Sequence, residues 1–201
     1  MSDQQQQQQQ QPITTAAPAT PAAPAKPSPI NPEDVAHWSA RFNEVLAKPS
    51  ETFNSKSPQG AQPWYHSFFN CLAPIETCLL SWCCPCVVFG RTHHRLHRNA
   101  DLQGWEPVNA SCLMMWASGC VCLHWLPVAM QRAEIRTKHN LQGDFLTDVA
   151  LACCCGCCNI AQADKEAEYR EKLLAGNQGQ QQGYQAPAGM SYPAQGEGKT
   201  Q

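Results

Sequence analysis

Thirteen cysteines in a chain of 201 residues, all lying between Cys71 and Cys158, constrain this sequence more than any other feature. The chain starts MSDQQQQQQQQP, with no basic stretch leading into an apolar one. A secretory leader is therefore not expected, and the default setting for the thiols is a reducing compartment. An odd count also rules out complete internal pairing. Crowded, reduced thiols serve metal or redox chemistry more readily than structural disulfides.

Nine of the cysteines form two knots. CLLSWCCPCVVFG holds Cys78, Cys83, Cys84 and Cys86 around Pro85, and CCCGCC holds Cys153, Cys154, Cys155, Cys157 and Cys158 around Gly156. Each knot has C-x-x-C spacing: Cys83 to Cys86, Cys154 to Cys157 and Cys155 to Cys158. That spacing lets two thiolates reach one tetrahedral ion from a single turn. The candidate metal ligands are therefore Cys83, Cys84, Cys86, Cys154, Cys155, Cys157 and Cys158. Thiolate is a soft donor, so zinc, copper(I) or cadmium is the expected guest. The fold must bring the knots together if they are to form one four-sulfur site. Three other uses of the sulfurs stand beside this one: small buried hydrophobes, palmitoylation sites beside apolar segments, and a redox pair. The redox reading is the weakest, because no strand–helix–strand pattern surrounds CCPC.

Composition divides the chain. Residues 1–31 are Gln, Ala and Pro with few large apolar groups, and residues 176–201 are Gly- and Gln-rich. Both read as disordered tails. A helix is expected over 32–48, capped by Asn31, opened by Pro32 and carrying Val35, Trp38, Phe42 and Val45 on one stripe. Its apolar stripe favours docking on the cysteine domain over lying on a membrane. A polar linker over 49–63 leads to the domain proper, 64–175, whose last charged helical stretch is expected to stop at Gly176. The expected fold class is mainly α: a small cysteine-rich helical domain with apolar helical segments. No internal repeat longer than the cysteine pairs is evident.

Val108 to Gln131 contains no Asp, Glu, Lys or Arg. As one helix it is long enough to cross a bilayer; a buried helical hairpin or an interfacial segment would show the same pattern. Arg132, Arg136 and Lys138 follow as a basic flank of the kind found on the cytoplasmic side of membranes. A second apolar stretch, Phe145 to Ala161, is interrupted by Asp148. A carboxylate there needs a partner, and Arg132 and Arg136 are the nearest candidates. His93 and His97 could share a metal, but Arg91, Arg95 and Arg98 among them favour a solvated basic face. Net charge is −2 and no Lys/Arg run occurs, so nucleic acid is not an expected partner. No phosphate loop, H-E-x-x-H or G-x-S-x-G occurs, and no enzyme is expected.

CCPCVVFGR, RAEIRTKHNLQGDFLTD and CCCGCCNIAQADKE resemble the placenta-specific-eight family of cysteine-rich proteins, which includes cornifelin-like, plant cadmium-resistance and cell-number-regulating members. The resemblance covers about 64–174. Ala161, Ala163 and Lys165 stand where the family usually carries Cys, Glu and Arg. The resemblance implies a non-enzymatic, membrane-associated and sometimes self-associating protein linked to divalent-metal tolerance or to growth control. The combined expectation is a membrane protein, at the plasma membrane foremost, that binds zinc- or cadmium-like ions with its clusters facing the cytosol. The competing expectation is an interaction scaffold whose cysteines hold a structural metal or carry palmitate.

Overall fold

The computed structural model describes residues 28–183; the rest of both expected tails lies outside the described residues. Eight α-helices follow in order: α1 Pro32–Ala47, α2 Pro49–Phe53, α3 Ile75–Cys83, α4 Pro85–His97, α5 Ala110–Cys120, α6 Trp125–Lys138, α7 Phe145–Cys154 and α8 Gly156–Gly183. A 3₁₀ turn at Phe68–Leu72 precedes α3. The mainly helical class is as expected; among the described residues the only β pairing is two isolated bridges, Lys56 with Asp144 and Gln62 with Leu141. The stretch 49–63 thus carries α2 and one side of each bridge.

Cross-helix contacts fix the register. Gln131 donates to the Phe89 carbonyl and Lys138 to the Leu96 carbonyl, both 42 residues apart, so α6 runs parallel to α4. Arg91 pairs with Asp164 and Arg95 with Glu168, so α8 also runs parallel to α4. Arg91 reaches back to Thr77, which turns α3 antiparallel to α4. Asn109 at the head of α5 lies against Gly90, whereas Cys112 meets Cys86, so α5 also opposes α4. Asp148 of α7 sits between Arg132 and Arg136 of α6. The result is three helical hairpins, α3–α4, α5–α6 and α7–α8, with their tips at one end of the bundle.

Two of the tips are the same structure. Cys84 (φ −137°, ψ 64°) joins α3 to α4 and donates its N–H to the Leu80 carbonyl. Cys155 (φ −147°, ψ 67°) joins α7 to α8 and donates to the Leu151 carbonyl. The sequence repeat Leu-x-x-Cys-Cys-x-Cys, over 80–86 and 151–157, is therefore also a structural repeat, longer than the cysteine pairs alone. The third tip breaks the charge-free window of 108–131 into two helices. Cys122 takes a left-handed φ of 58°, the Leu123 N–H bonds the Ser118 carbonyl and the Cys122 N–H bonds the Gly119 carbonyl. That pair of bonds is a Schellman ending with cysteine in the position glycine usually fills. No helix among the described residues is long and apolar enough to cross a membrane.

The main core lies just inside the tips, built from Trp38, Val88, Phe89, Met115, Val128, Met130, Phe145 and Ile160. A smaller cluster of Leu96, Ile135, Leu141, Ala163 and Ala167 lies farther along α4, α6 and α8. A charged layer passes through the same bundle. The expected Asp148 partners are confirmed: its carboxylate lies 3.0 Å from Arg132 and 3.2 Å from Arg136. Arg132 also donates to Asn159 and Gln162 and stacks 4.0 Å over Trp64. Both arginines are thus spent inside the domain and do not form the expected basic flank.

Asn31 caps α1 as expected, accepting the Glu33 N–H at 2.8 Å. The stripe of α1 docks on the domain: Trp38 is buried, stacks on Phe89 and donates to Ser111 at 2.9 Å. This docking overturns the reading of 91–98 as a solvated basic face. His93, His94 and Arg95 are buried, because α1 covers His93, the Gln103 carbonyl after α4 meets His94 at 3.2 Å, and Asp164 and Glu168 of α8 take the guanidinium of Arg95. At the other end, α8 continues through Gly176, which keeps a helical backbone, to Gly183.

Candidate metal centre at the helix tips

The charges that bound the tips define a layer. Residues 77–90, 107–131 and 149–163 contain no Asp, Glu, Lys or Arg. The groups that close these segments meet each other: Arg91 with Asp164 at 2.6 Å, and Arg132 with Asp148. Beyond that layer the three hairpins carry no charge. On α4, α6, α7 and α8, six to eight residues of helix at 1.5 Å each lie beyond these pairs, a depth of about 10 Å. Trp82, Trp116, Val121 and Leu123 are exposed on it, together with Cys83, Cys84, Cys120, Cys122, Cys153 and Cys154.

Within the cap, Cys155, Cys157 and Cys158 each place Sγ within 4.8 Å of the others. Cys71 lies 3.0 Å from Cys158. Cys71 comes from the 3₁₀ turn before α3, 87 residues away, and lies in neither sequence knot; only the packing of that turn on α8 reveals it. Cys155 caps α8. A hydrogen bond from Cys158, with help from the Cys158 N–H and the Cys157 thiol, outweighs burial and lowers its thiol below the ordinary 9.0. Burial, followed by the Cys155 charge, raises Cys157, and burial with contacts to Cys155 and Cys71 raises Cys158. Cys155 is therefore the most acidic thiol of the three, placed where the helix dipole favours a negative charge.

The other candidates are arranged differently. Cys86 is half-buried and contacts Cys112, whose thiol is pushed up to about 12 by burial and by that contact. Cys83, Cys84 and Cys154 are exposed. Among the described residues, no group of three ligand atoms within this spacing combines members of both knots. The tips put the knots at the same level of the bundle, but the tight grouping forms within the second knot plus Cys71.

This donor set fits a soft metal. Four thiolates around zinc at about 2.3 Å would stand about 3.8 Å apart, within 1 Å or so of the present spacing. Side-chain rotation at a hairpin tip supplies such a shift without moving a helix.

Several known proteins are similar to this chain in sequence. The protein named Plant Cadmium Resistance 2 of Arabidopsis thaliana is 26% identical over 56% of this chain and 72% of its own. Plant Cadmium Resistance 1 of the same plant is 26% identical over 68% of this chain and 90% of its own. Cell number regulator 3 of Zea mays is 28% identical over 67% and 72%. No solved structure matches the chain significantly. The family model described as PLAC8 matches residues 64–166, which run from the tryptophan stacked under Arg132 to the glutamate that accepts the Tyr65 and His66 N–H groups. With more than half its length inside that match and both cysteine knots within it, the chain belongs to the PLAC8 family.

Proposed function

We propose that this chain is a non-enzymatic protein of a membrane surface that binds a soft divalent ion of the zinc or cadmium kind and contributes to tolerance of such metals. The observation that carries the reading is the grouping of Cys155, Cys157 and Cys158 with Cys71 alongside. The lowered thiol of Cys155 gives an arriving cation a first ligand, and the neighbouring thiols lose their protons as they join it. The charge-free cap supports the membrane part of the reading. It exposes two tryptophans and several aliphatic side chains with no charge among them, and its depth of about 10 Å suits insertion to the level of the headgroup–acyl boundary. Two relatives carry cadmium resistance in their names.

A second reading is favoured by a different observation. Cys83, Cys84, Cys153 and Cys154 are exposed beside apolar side chains, which is a setting for acyl attachment. On that reading the protein is an interaction scaffold, and its metal holds the second tip together without being cargo.

The full chain, purified reduced and stripped of metal, tests the first reading. It is expected to take up cadmium or zinc at the tip and to float with anionic lipid vesicles. Cys155→Ser with Cys157→Ser is expected to remove one equivalent of tightly bound cadmium and the tolerance the chain confers on cells that express it. Uptake unchanged by the double substitution would sink the metal site. Cadmium tolerance unchanged despite lost binding would leave the scaffold.

A further inference from the structure

A second group of ligand-type side chains lies apart from the cysteines, where α1 crosses α4. His37 of α1 faces His93 and His97 of α4, with ring centroids 5.0 and 4.5 Å away, and the two α4 rings are 4.3 Å apart. One ring nitrogen from each lies within 4.8 Å of the others. Glu134 of α6 adds a carboxylate beside two of the rings: its oxygens lie 2.9 Å from His97 Nε2 and 3.5 Å from His37 Nε2. A pocket lined by Glu33, Asp34, His37, His93, His97 and Arg98 opens the group to solvent.

Three imidazoles are seldom packed together for stability alone, and here the polar atoms are left wanting. The His93 side chain is 3% exposed; its Nε2 faces Asp34 Oδ1 at 3.4 Å, while its Nδ1 is buried with no hydrogen-bond partner. His37 Nε2 and Glu134 Oε2 are buried too, and face only each other across 3.5 Å without a hydrogen bond. A buried polar atom with no partner costs on the order of 1–3 kcal/mol, so the orphaned His93 Nδ1 and the long His37–Glu134 contact beside it mark a place built for something more.

From this geometry we propose a second metal site, of imidazole and carboxylate donors, formed by His37, His93, His97 and Glu134 and suited to a borderline divalent ion of the zinc type. Three nitrogens and one oxygen around such an ion at about 2.0–2.1 Å would stand about 3.3 Å apart, so the present cluster needs to close by an ångström or so. The ion would enter between Glu134 and the two histidines that now contact it. Imidazole and carboxylate suit zinc, nickel, cobalt or copper(II), whereas the thiols at the tips favour softer ions. Burial, the largest influence on both, holds His37 and His93 below the ordinary 6.5. The surroundings are balanced: Asp34 and Glu33 face Arg98, and Arg41 lies near His37.

The site has a structural consequence. Its ligands come from three helices, and His37 lies outside the stretch 64–166 that the family model matches. An ion held there bolts α1 to α4 and α6, in addition to the hold of Trp38 on Phe89 and Ser111. The attachment of the N-terminal helix to the family domain thereby becomes metal-dependent.

Cobalt(II) added to the full-length, reduced and metal-stripped chain reads this directly, because thiolate ligation gives intense sulfur-to-cobalt charge-transfer bands and imidazole–carboxylate ligation does not. The wild type is expected to show about one equivalent of cobalt with nitrogen–oxygen bands only, in addition to any sulfur-ligated ion. His37→Gln, and separately His97→Gln, should lose that equivalent and keep the sulfur bands, with helicity by circular dichroism unchanged. Cys155→Ser with Cys157→Ser should do the reverse. A wild-type spectrum without a nitrogen–oxygen class overturns the proposal whatever the variants do, and so does a nitrogen–oxygen class that survives in both folded histidine variants. Either result leaves the cysteine site standing.

Discussion

Gly90 shows how tightly single positions are specified. A Cβ there would lie 2.6 Å from Asn109 Oδ1 and 2.8 Å from Nδ2. Asn109 cannot simply swing aside, because it caps α5 through the Cys112 N–H and donates to the Glu106 carbonyl. Gly90→Ala should therefore destabilise the fold by about 1–3 kcal/mol, from overpacking and a disturbed cap together, as read by thermal or urea melts. Asp148 makes the opposite case. Burial works against both charges, raising the Asp148 carboxyl and lowering Arg132, while the neighbouring guanidiniums pull the carboxyl back. Asp148→Asn leaves two buried guanidiniums without a counter-charge, and about 3–5 kcal/mol of stability should go with it in the same melts. The Asp148 pairing was legible in the sequence, since a carboxylate inside an apolar stretch must find a cation. The role of Gly90 was not, because Asn109 reaches it only after the loop between α4 and α5 has closed.

The helices repeat that contrast. The start of α1 could be read from Asn31 and Pro32, as capping is local chemistry. The break between α5 and α6 could not, because it turns on a left-handed Cys122 and not on a glycine or proline at that point. The polar stripe of α4 is illegible for a different reason: periodicity identifies a face, but not that α1 will cover His93 or that α8 will offer Asp164 and Glu168. The α6–α8 contact carries its own prediction. Glu171 of α8 meets Lys138 at 2.6 Å and His139 at 3.1 Å. Burial alone would raise its carboxyl, but contacts from His139 and Lys138 outweigh burial and hold it below the ordinary 4.5. A carboxyl lower in the folded state binds fewer protons there than in the unfolded chain. Its contribution is complete above pH 4.5 and is lost as pH falls through that value toward the depressed one. The thermal midpoint of Glu171→Gln should accordingly fall less steeply than that of the wild type on acidification below about pH 4.5. Parallel slopes would show that the contact holds no net charge energy.

At the level of the whole molecule, the sequence displays three charge-free segments but not their alignment. Only the registers of α4, α6 and α8 place the three tips side by side and turn separate apolar windows into one cap. That alignment also redefines what membrane attachment would mean for this chain. A single helix over 108–131 would put its middle at the bilayer centre, whereas a cap about 10 Å deep stops short of the roughly 15 Å half-thickness of the hydrocarbon. The tryptophans report the difference. Trp82 and Trp116 are exposed within the cap at 73% and 64%, whereas Trp38 is buried at 3%. With the full chain bound to vesicles, quenchers attached high on the acyl chains should dim the tryptophan emission more than quenchers at the bilayer centre. Trp82→Phe with Trp116→Phe should remove most of that quenching while the chain still floats with the vesicles. Stronger quenching from the bilayer centre would mean that the hairpin of α5 and α6 opens into a longer insertion, and quenching unchanged in the double variant would mean that the lipid meets a different face.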